Sequence, residues 1–190
     1  QWHFQQVHHD LWDFDAPNPV VLFDLEYDGE LRKGLAQAGK TGWVYILDRT
    51  TGAPLVGIEE RPVPQEERQL TAATQPYPLG DAFVTQTLDI PPEGFKLENG
   101  GAIFTPFWED PVLLRRSEAN WPPSTVDPEA GVMYVCAGER QAAYSSRSGI
   151  EQVDSGERYT GGSMRFAPIA TTGVVAAIDL ITNKLLWSQR

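Results

Sequence analysis

Apolar residues in this chain fall in short runs of roughly four to eight, closed by Gly, Pro, Asp or Asn; that rhythm belongs to strands and turns, and helical periodicity is weak. Val20-Val21-Leu22-Phe23-Asp24-Leu25 predicts a buried strand and Tyr27-Asp28-Gly29-Glu30 its hairpin turn. Leu31 to Ala38 is the returning strand, and Trp43 to Asp48 a third, after Lys40-Thr41-Gly42. Thr50-Thr51-Gly52-Ala53 then turns the chain into Pro54-Leu55-Val56-Gly57-Ile58. The opening residues, Gln1-Trp2-His3-Phe4-Gln5, read as a strand in mid-course, as though cut from something larger. From Glu59 to Gly80 the pattern breaks around prolines 62, 64, 76 and 78, which predicts an extended loop. Ala102 to Trp108 reads as a strand with a proline at its edge, and Gly131 to Ala137 as a clear one. Glu139 to Gly162 is polar and aperiodic and predicts a long surface excursion; Thr172 to Leu180 and Lys184 to Ser188 form a hairpin across Thr182-Asn183.

With 17 Gly, 15 Pro and six Trp in 190 residues, the expected class is all-β. A weak internal repeat narrows it. Ile46-Leu47-Asp48-Arg49-Thr50-Thr51-Gly52 matches Ala177-Ile178-Asp179-Leu180-Ile181-Thr182-Asn183: an apolar strand, an Asp, then Thr-Gly or Thr-Asn, where the Asp or Thr side chain holds the turn and Gly or Asn takes positive φ. Leu55 and Trp187, shortly after each turn, would lie between neighbouring blades of a β-propeller. The net charge of −11 argues against nucleic acid, which needs a basic stripe. No apolar run approaches the length of a membrane helix. The one cysteine, Cys136, excludes an internal disulfide and reads as a small buried hydrophobe.

The densest chemistry lies in His8-His9-Asp10-Leu11-Trp12-Asp13-Phe14-Asp15, too polar for a core strand and too aromatic for a solvated loop. A lone Lys40 stands at the mouth of the strand that runs to Asp48-Arg49. His8 and His9 are adjacent, so on a strand only one could face a given ion; a hydrogen-bonding role beside Asp13 fits better than metal ligation. Asp10 reads as structural and Glu59-Glu60 as solvated.

These runs resemble the dehydrogenases that use pyrroloquinoline quinone (PQQ), the quinoprotein alcohol and sugar dehydrogenases. Trp12-Asp13 matches the family's Trp-Asp pair, and Lys40 its Lys or Arg before a Gly-aromatic-Tyr-x-Leu-Asp-Arg strand. Asn120-Trp121-Pro122-Pro123 and the closing Ala177 to Trp187 run agree, with Asn183 where the family has Gly. The glycine-rich lead to the Asn-Trp pair is replaced by Arg115-Arg116-Ser117-Glu118-Ala119. The resemblance implies an eight-bladed propeller, of which this chain covers roughly three to four blades at about 40 to 50 residues each, its open edges covered by the remaining blades or a second chain.

It also implies a chemistry. Asp13 is the base, Lys40 places its ammonium at the quinone oxygens, Asn120 and Trp121 contact the cofactor's rim, and Asp13 with Asp15 are candidate metal ligands. The cofactors are PQQ and a hard cation, Ca²⁺ or alternatively a lanthanide or Mg²⁺. The reaction is oxidation of an alcohol or sugar hydroxyl to a carbonyl in the periplasm, with electrons passed to a cytochrome c or a membrane quinone. The remaining metal ligands and the group stacked on the quinone come from earlier blades, so the isolated piece is expected to have little or no activity. The competing reading is a non-catalytic periplasmic propeller scaffold that binds protein partners; it has no reason to keep Trp12-Asp13 together with Lys40.

Overall fold

The structure, a computed structural model, describes residues 1–27, 29–88, 93–146, 154–157 and 159–190. Among them there is no α-helix, only two single 3₁₀ turns. β1 (Val21–Tyr27), β2 (Glu30–Ala38) and β3 (Val44–Asp48) form the expected antiparallel meander. Tyr27 pairs with Glu30, leaving a two-residue connection in which Gly29 takes φ 74° and Asp28 lies outside the described residues. β4 (Ile58–Pro62) and β5 (Thr74–Pro78) make a separate two-stranded ribbon. The third sheet is built on the 15-residue β8 (Val132–Ser146). The first half of β8 pairs with β7 (Thr125–Asp127) and β10 (Thr172–Asp179), its second half with β6 (Val112–Ser117) and β9 (Gly162–Phe166); β11 (Leu185–Gln189) lies outside β10.

The strands end in one recurring turn. Asp48 Oδ1 accepts from the Thr50 and Thr51 amides, both at 2.8 Å, and Gly52 follows at φ 80° with its amide on the Asp48 carbonyl. Asp179 repeats this with Ile181 at 3.1 Å, Thr182 at 2.7 Å and Asn183 at φ 56°. A third copy, not legible as a repeat in the sequence because it lacks the Thr, is Asp127 accepting from Glu129 and Ala130 before Gly131 at φ 68°. Each carboxylate satisfies amides that would otherwise be orphaned, and each fourth residue afterwards takes the left-handed backbone that Gly and Asn tolerate. At the first turn the Trp2 ring lies over Gly52, where a Cβ would come within 2.5 Å of it.

Three apolar clusters result among the described residues, the smallest around Leu113, Ala143 and Ala167. Phe23, Ala36 and Ile46 from the meander pack with Met133, Val135, Ala176 and Ile178 of the third sheet. A second core, around Trp12, Phe14, Phe104, Phe107 and Leu114, lies under the loop that precedes β1. Leu55 packs against the first core, whereas Trp187 is half-exposed against Tyr134.

Several expectations need correction. The stretch from Glu59 to Gly80 is not a loop: its ends form the β4–β5 ribbon. Leu79 N bonds Gly57 O and Val63 N bonds Ala73 O, so odd positions carry the cross-strand bonds. Pro62, Pro76 and Pro78 all fall on even positions, where an N–H would point away from the partner strand and its loss costs nothing. Glu139 to Gly162 is not all excursion either, since β8 continues to Ser146 with Ala142, Ala143 and Tyr144 buried, and β9 begins at Gly162; residues 147–153 and 158 lie outside the described residues. Ala102 to Trp108 is irregular, with Phe104 at φ 64°, and the real strand is β6, which the paired arginines obscured. Gln1 to Gln5 has no strand pairing. Cys136 is exposed rather than buried, because alternation along β8 sends Met133 and Val135 inward and Cys136 out.

Glu139 clasps the third sheet to the segment after the ribbon. Its Oε1 accepts from Thr85 N at 2.8 Å and Thr85 Oγ1 at 2.7 Å, and Arg190 binds both oxygens at 2.8 and 2.9 Å. The Arg190 hydrogen bonds lead in holding the carboxyl at about 2, well below its ordinary 4.5. A depressed carboxyl contributes stability that is complete above its ordinary value and disappears as pH falls through the folded-state value. Urea midpoints should therefore drop between pH 4.5 and about 2, and Glu139→Gln should flatten that part of the profile while lowering the midpoint at neutral pH.

Candidate active site

The site starts with the loop before β1. Gln75, fully buried on β5, bonds the His8 backbone twice, at 2.8 Å to its amide and 2.7 Å to its carbonyl, standing in for a strand partner. Gln37 of β2 binds the carbonyls of Ala16 and Asn18 at 3.0 and 2.9 Å. Between these anchors Trp12 and Phe14 turn inward, stacked at 5.7 Å, each edge-on to Phe104, with Trp12 Nε1 donating to Thr105 O at 2.8 Å. Asp13, between two buried neighbours, is forced outward at φ 63°, a left-handed conformation costing roughly 1–2 kcal/mol for a residue with a Cβ. Asp10 holds that kink: its carboxylate accepts from the amides on either side, Trp12 at 2.9 Å and Phe14 at 2.8 Å. Burial pushes the Asp10 carboxyl up, with Asp13 and Asp15 adding to the effect.

The meander delivers the counter-charge. Gly39 to Gly42 closes a tight turn between β2 and β3, with Gly42 N on Gly39 O at 3.0 Å, and Lys40 at its crest is 5% exposed. Lys40 Nζ donates to Asp13 Oδ2 at 2.7 Å and to Asp15 Oδ1. The Asp13 and Asp15 side chains are 62% and 54% exposed, so a buried ammonium sits beneath two carboxylates that face outward. The Lys40 carbonyl accepts from Ser117 N at 2.9 Å, which fastens the turn to the end of β6 and brings Arg116 alongside. Arg116, 2% exposed, bonds the Tyr144 hydroxyl at 2.9 Å, pairs with Glu118 at 3.0 Å and reaches Asp13 Oδ2 at 3.6 Å. Burial works against that charge, but Tyr144, Glu118 and Asp13 more than offset it. Burial also pushes the Tyr144 phenol up to about 12, partly countered by Arg116, so its proton stays in place to donate to Trp12 O at 3.1 Å.

A cleft of about 750 Å³ opens over this arrangement, lined on one side by Asp10 to Asp13 and Tyr144, on the other by Arg68, Trp108 and residues 159–164. Of the residues singled out in the sequence, Asp13 and Asp15 are in direct contact with Lys40, and of these three Asp13 alone lines the cleft. Asn120 and Trp121 neither line the cleft nor bond to that trio, and Trp121 is 75% exposed. His8 does not sit beside Asp13; its Nε2 pairs with Glu60 at 2.9 Å, and Glu60, read as solvated, also accepts from Thr74 at 2.6 Å. Partial burial raises the Glu60 carboxyl, and those two hydrogen bonds bring it below its ordinary value. Arg116 was missed, because in the sequence it is only one half of an Arg-Arg pair in place of a glycine-rich lead.

The donor set suits an anionic quinone with a hard cation. Two exposed carboxylates offer oxygens not engaged by Lys40, and two buried cations lie behind them. Among the described residues no three His, Cys, Asp or Glu side chains cluster as a complete metal site.

Three antiparallel sheets carry an acid–amine pair beside a cleft, and comparison with known proteins supplies the family. Residues 1–93 match the family model for the PQQ glucose/ethanol/alcohol dehydrogenase β-propeller domain. The whole chain aligns with quinoprotein glucose dehydrogenase A of Acinetobacter calcoaceticus at 37% identity and with the quinoprotein alcohol dehydrogenase PedH of Pseudomonas putida at 28%, covering 29% and 30% of those proteins. In structure it is similar to the quinohemoprotein alcohol dehydrogenase of Comamonas testosteroni (TM-score 0.57, 21% identity, 99% of this chain and 26% of that one) and to a europium-containing methanol dehydrogenase (TM-score 0.57, 20% identity, 98% and 30%). The chain belongs to the PQQ-dependent quinoprotein dehydrogenase family and spans less than a third of the length of these relatives.

The buried ammonium makes an asymmetric prediction. Lys40→Met replaces it with an apolar chain of similar length and leaves the exposed carboxylates to water, so the unfolding free energy should move by less than about 1 kcal/mol. Asp13→Ala/Asp15→Ala strands the ammonium without a counter-ion and should cost about 3 kcal/mol or more, read from urea midpoints at constant m.

Proposed function

We propose that this chain is the part of a PQQ-dependent alcohol or sugar dehydrogenase that carries the base and the cation facing the quinone. The observation behind this reading is the burial of Lys40 against Asp13 and Asp15, with Asp13 lining the cleft. A propeller serving only as a scaffold has no use for an ammonium taken out of water, which carries a penalty of several kcal/mol unless compensated.

When bound, PQQ supplies the electrophile that accepts hydride, which no side chain can do. The chain's own residues do the rest. Asp13 takes the hydroxyl proton on the oxygen not engaged by Lys40. Asp15 shares Lys40 with it, and the pair offers hard oxygens to Ca²⁺, a lanthanide or Mg²⁺. Lys40, its ammonium fixed by Asp13 and Asp15, would supply positive charge toward the cofactor's oxygens, and its burial leaves it little freedom to reorganise. Asp10 keeps the base in its outward conformation by holding both flanking amides. Asn120 and Trp121, which lie off the cleft, are given no part at the cofactor. The substrate is an alcohol or sugar hydroxyl, the electron acceptor a cytochrome c or membrane quinone, and the compartment the periplasm.

The test is reconstitution of the full-length protein with PQQ and Ca²⁺ or La³⁺, followed by dye reduction with alcohols and aldoses. Wild type should turn over, Asp13→Asn should lose about 10²- to 10⁴-fold in kcat, and the segment alone should be inactive or nearly so. Failure of the wild type with every cation would hand the chain back to the scaffold reading.

A further inference from the structure

The least expected group near Asp13 is Arg116. The resemblance gives it no role, yet its side chain is as buried as the apolar core, at 2% exposure. A buried guanidinium is costly unless its neighbours justify it, and here they converge on the base. One Nη atom approaches Asp13 Oδ2 at 3.6 Å, the same oxygen that Lys40 holds at 2.7 Å. The other bonds the Tyr144 hydroxyl at 2.9 Å, and that hydroxyl donates to the carbonyl of Trp12, the residue immediately before Asp13. Glu118 pairs with Nε at 3.0 Å without the alignment of a hydrogen bond, and so balances charge without steering the fork.

Arg116 thus acts on the base twice: by hydrogen bonding, through Tyr144, on the backbone one residue upstream, and by charge alone on its carboxylate, which at 3.6 Å is beyond hydrogen-bond reach. We propose that Arg116 is a positioning residue for Asp13: through Tyr144 it anchors the Trp12–Asp13 backbone, and its charge, 3.6 Å from Oδ2, favours that oxygen on the side where Lys40 binds it, leaving Oδ1 as the oxygen presented to the substrate hydroxyl. This rests on Asp13 being the base. Lys40 cannot do the job alone. Its ammonium is a point charge divided between Asp13 and Asp15, around which an exposed carboxylate can turn, whereas a planar guanidinium held by packing and by Tyr144 fixes a direction. Displacement of a reacting group by about 1 Å is enough to cost of order 10²-fold in rate.

The experiment uses the full-length protein with Arg116→Lys, Arg116→Gln and Tyr144→Phe, and has two independent readouts. In the PQQ- and Ca²⁺-loaded protein, Arg116→Gln should lower kcat by about 10- to 100-fold with KM changed less than about threefold, and Arg116→Lys should recover part of the loss. In the cofactor-free protein, amide exchange in the peptide covering residues 10–16 should accelerate in Arg116→Gln and Tyr144→Phe, with exchange in the β10 peptide unchanged. Tyr144→Phe keeps the guanidinium and removes one hydroxyl, so it carries the exchange measurement if Arg116→Gln does not fold. Unchanged exchange at 10–16 in every folded variant overturns the proposal. So does an equal loss of kcat and PQQ affinity that lysine does not restore, since that is the mark of a general structural role. A wild type that never turns over refutes the PQQ reading instead, while the exchange result still decides whether Arg116 anchors Asp13.

Discussion

The constraint on which the rest of the site depends is the burial of one ammonium group. Lys40 is covered by a turn whose carbonyl is fastened to β6 and by two carboxylates that reach it from 27 and 25 residues earlier in the chain. An unpaired ammonium at that depth would cost several kcal/mol, so the loop before β1 has to bring Asp13 and Asp15 to it. That demand accounts for features that look arbitrary one by one. Asp13 adopts a left-handed backbone because its neighbours Trp12 and Phe14 must both enter the core while its own carboxylate faces Lys40. Asp10 is held in place because its oxygens serve the two amides that the kink exposes; those bonds pull its pKa down, and desolvation of the carboxyl outweighs them. Gln75 and Gln37 spend their amides on the loop's backbone because no strand is there to pair with it.

How much of this the sequence disclosed depends on whether the signal was local. The β1–β2–β3 meander and the β10–β11 hairpin could be read because apolar runs and turn residues alternate there, and each turn is specified within five residues. The meeting of Asp13, Asp15 and Lys40 was legible only through resemblance, since nothing in spacing alone says that a turn's crest is buried. The β4–β5 ribbon was lost because prolines count as breakers unless the hydrogen-bonding parity is known, and parity is a property of the pair of strands. The second half of β8 was lost because its polar residues are occupied by partners far away in sequence: Gln141 faces Arg115 across the ladder, and Tyr144 bonds Trp12 from 132 residues away. His8 misled for the same reason, its partner Glu60 lying 52 residues on.

Two departures from the family pattern carry a common lesson. At Asn183 and Arg116 a motif comparison registers only the loss of a glycine. At Asn183 the turn still closes at φ 56°, a conformation Asn tolerates far better than most residues, so the backbone loses little. In return the fully buried side chain donates to Val44 O at 2.9 Å and Leu79 O at 3.0 Å, tying the last turn to β3 and to the end of the ribbon. A glycine there would close the same turn and leave both carbonyls without that donor, and an unsatisfied buried acceptor costs about 1–3 kcal/mol. Arg116 does the equivalent at the site, joining β6 to β8 and to the loop that carries Asp13. In both places a side chain reaches across elements that backbone alone would leave unconnected. At both positions this chain therefore uses a polar cross-tie between elements where a glycine could offer none.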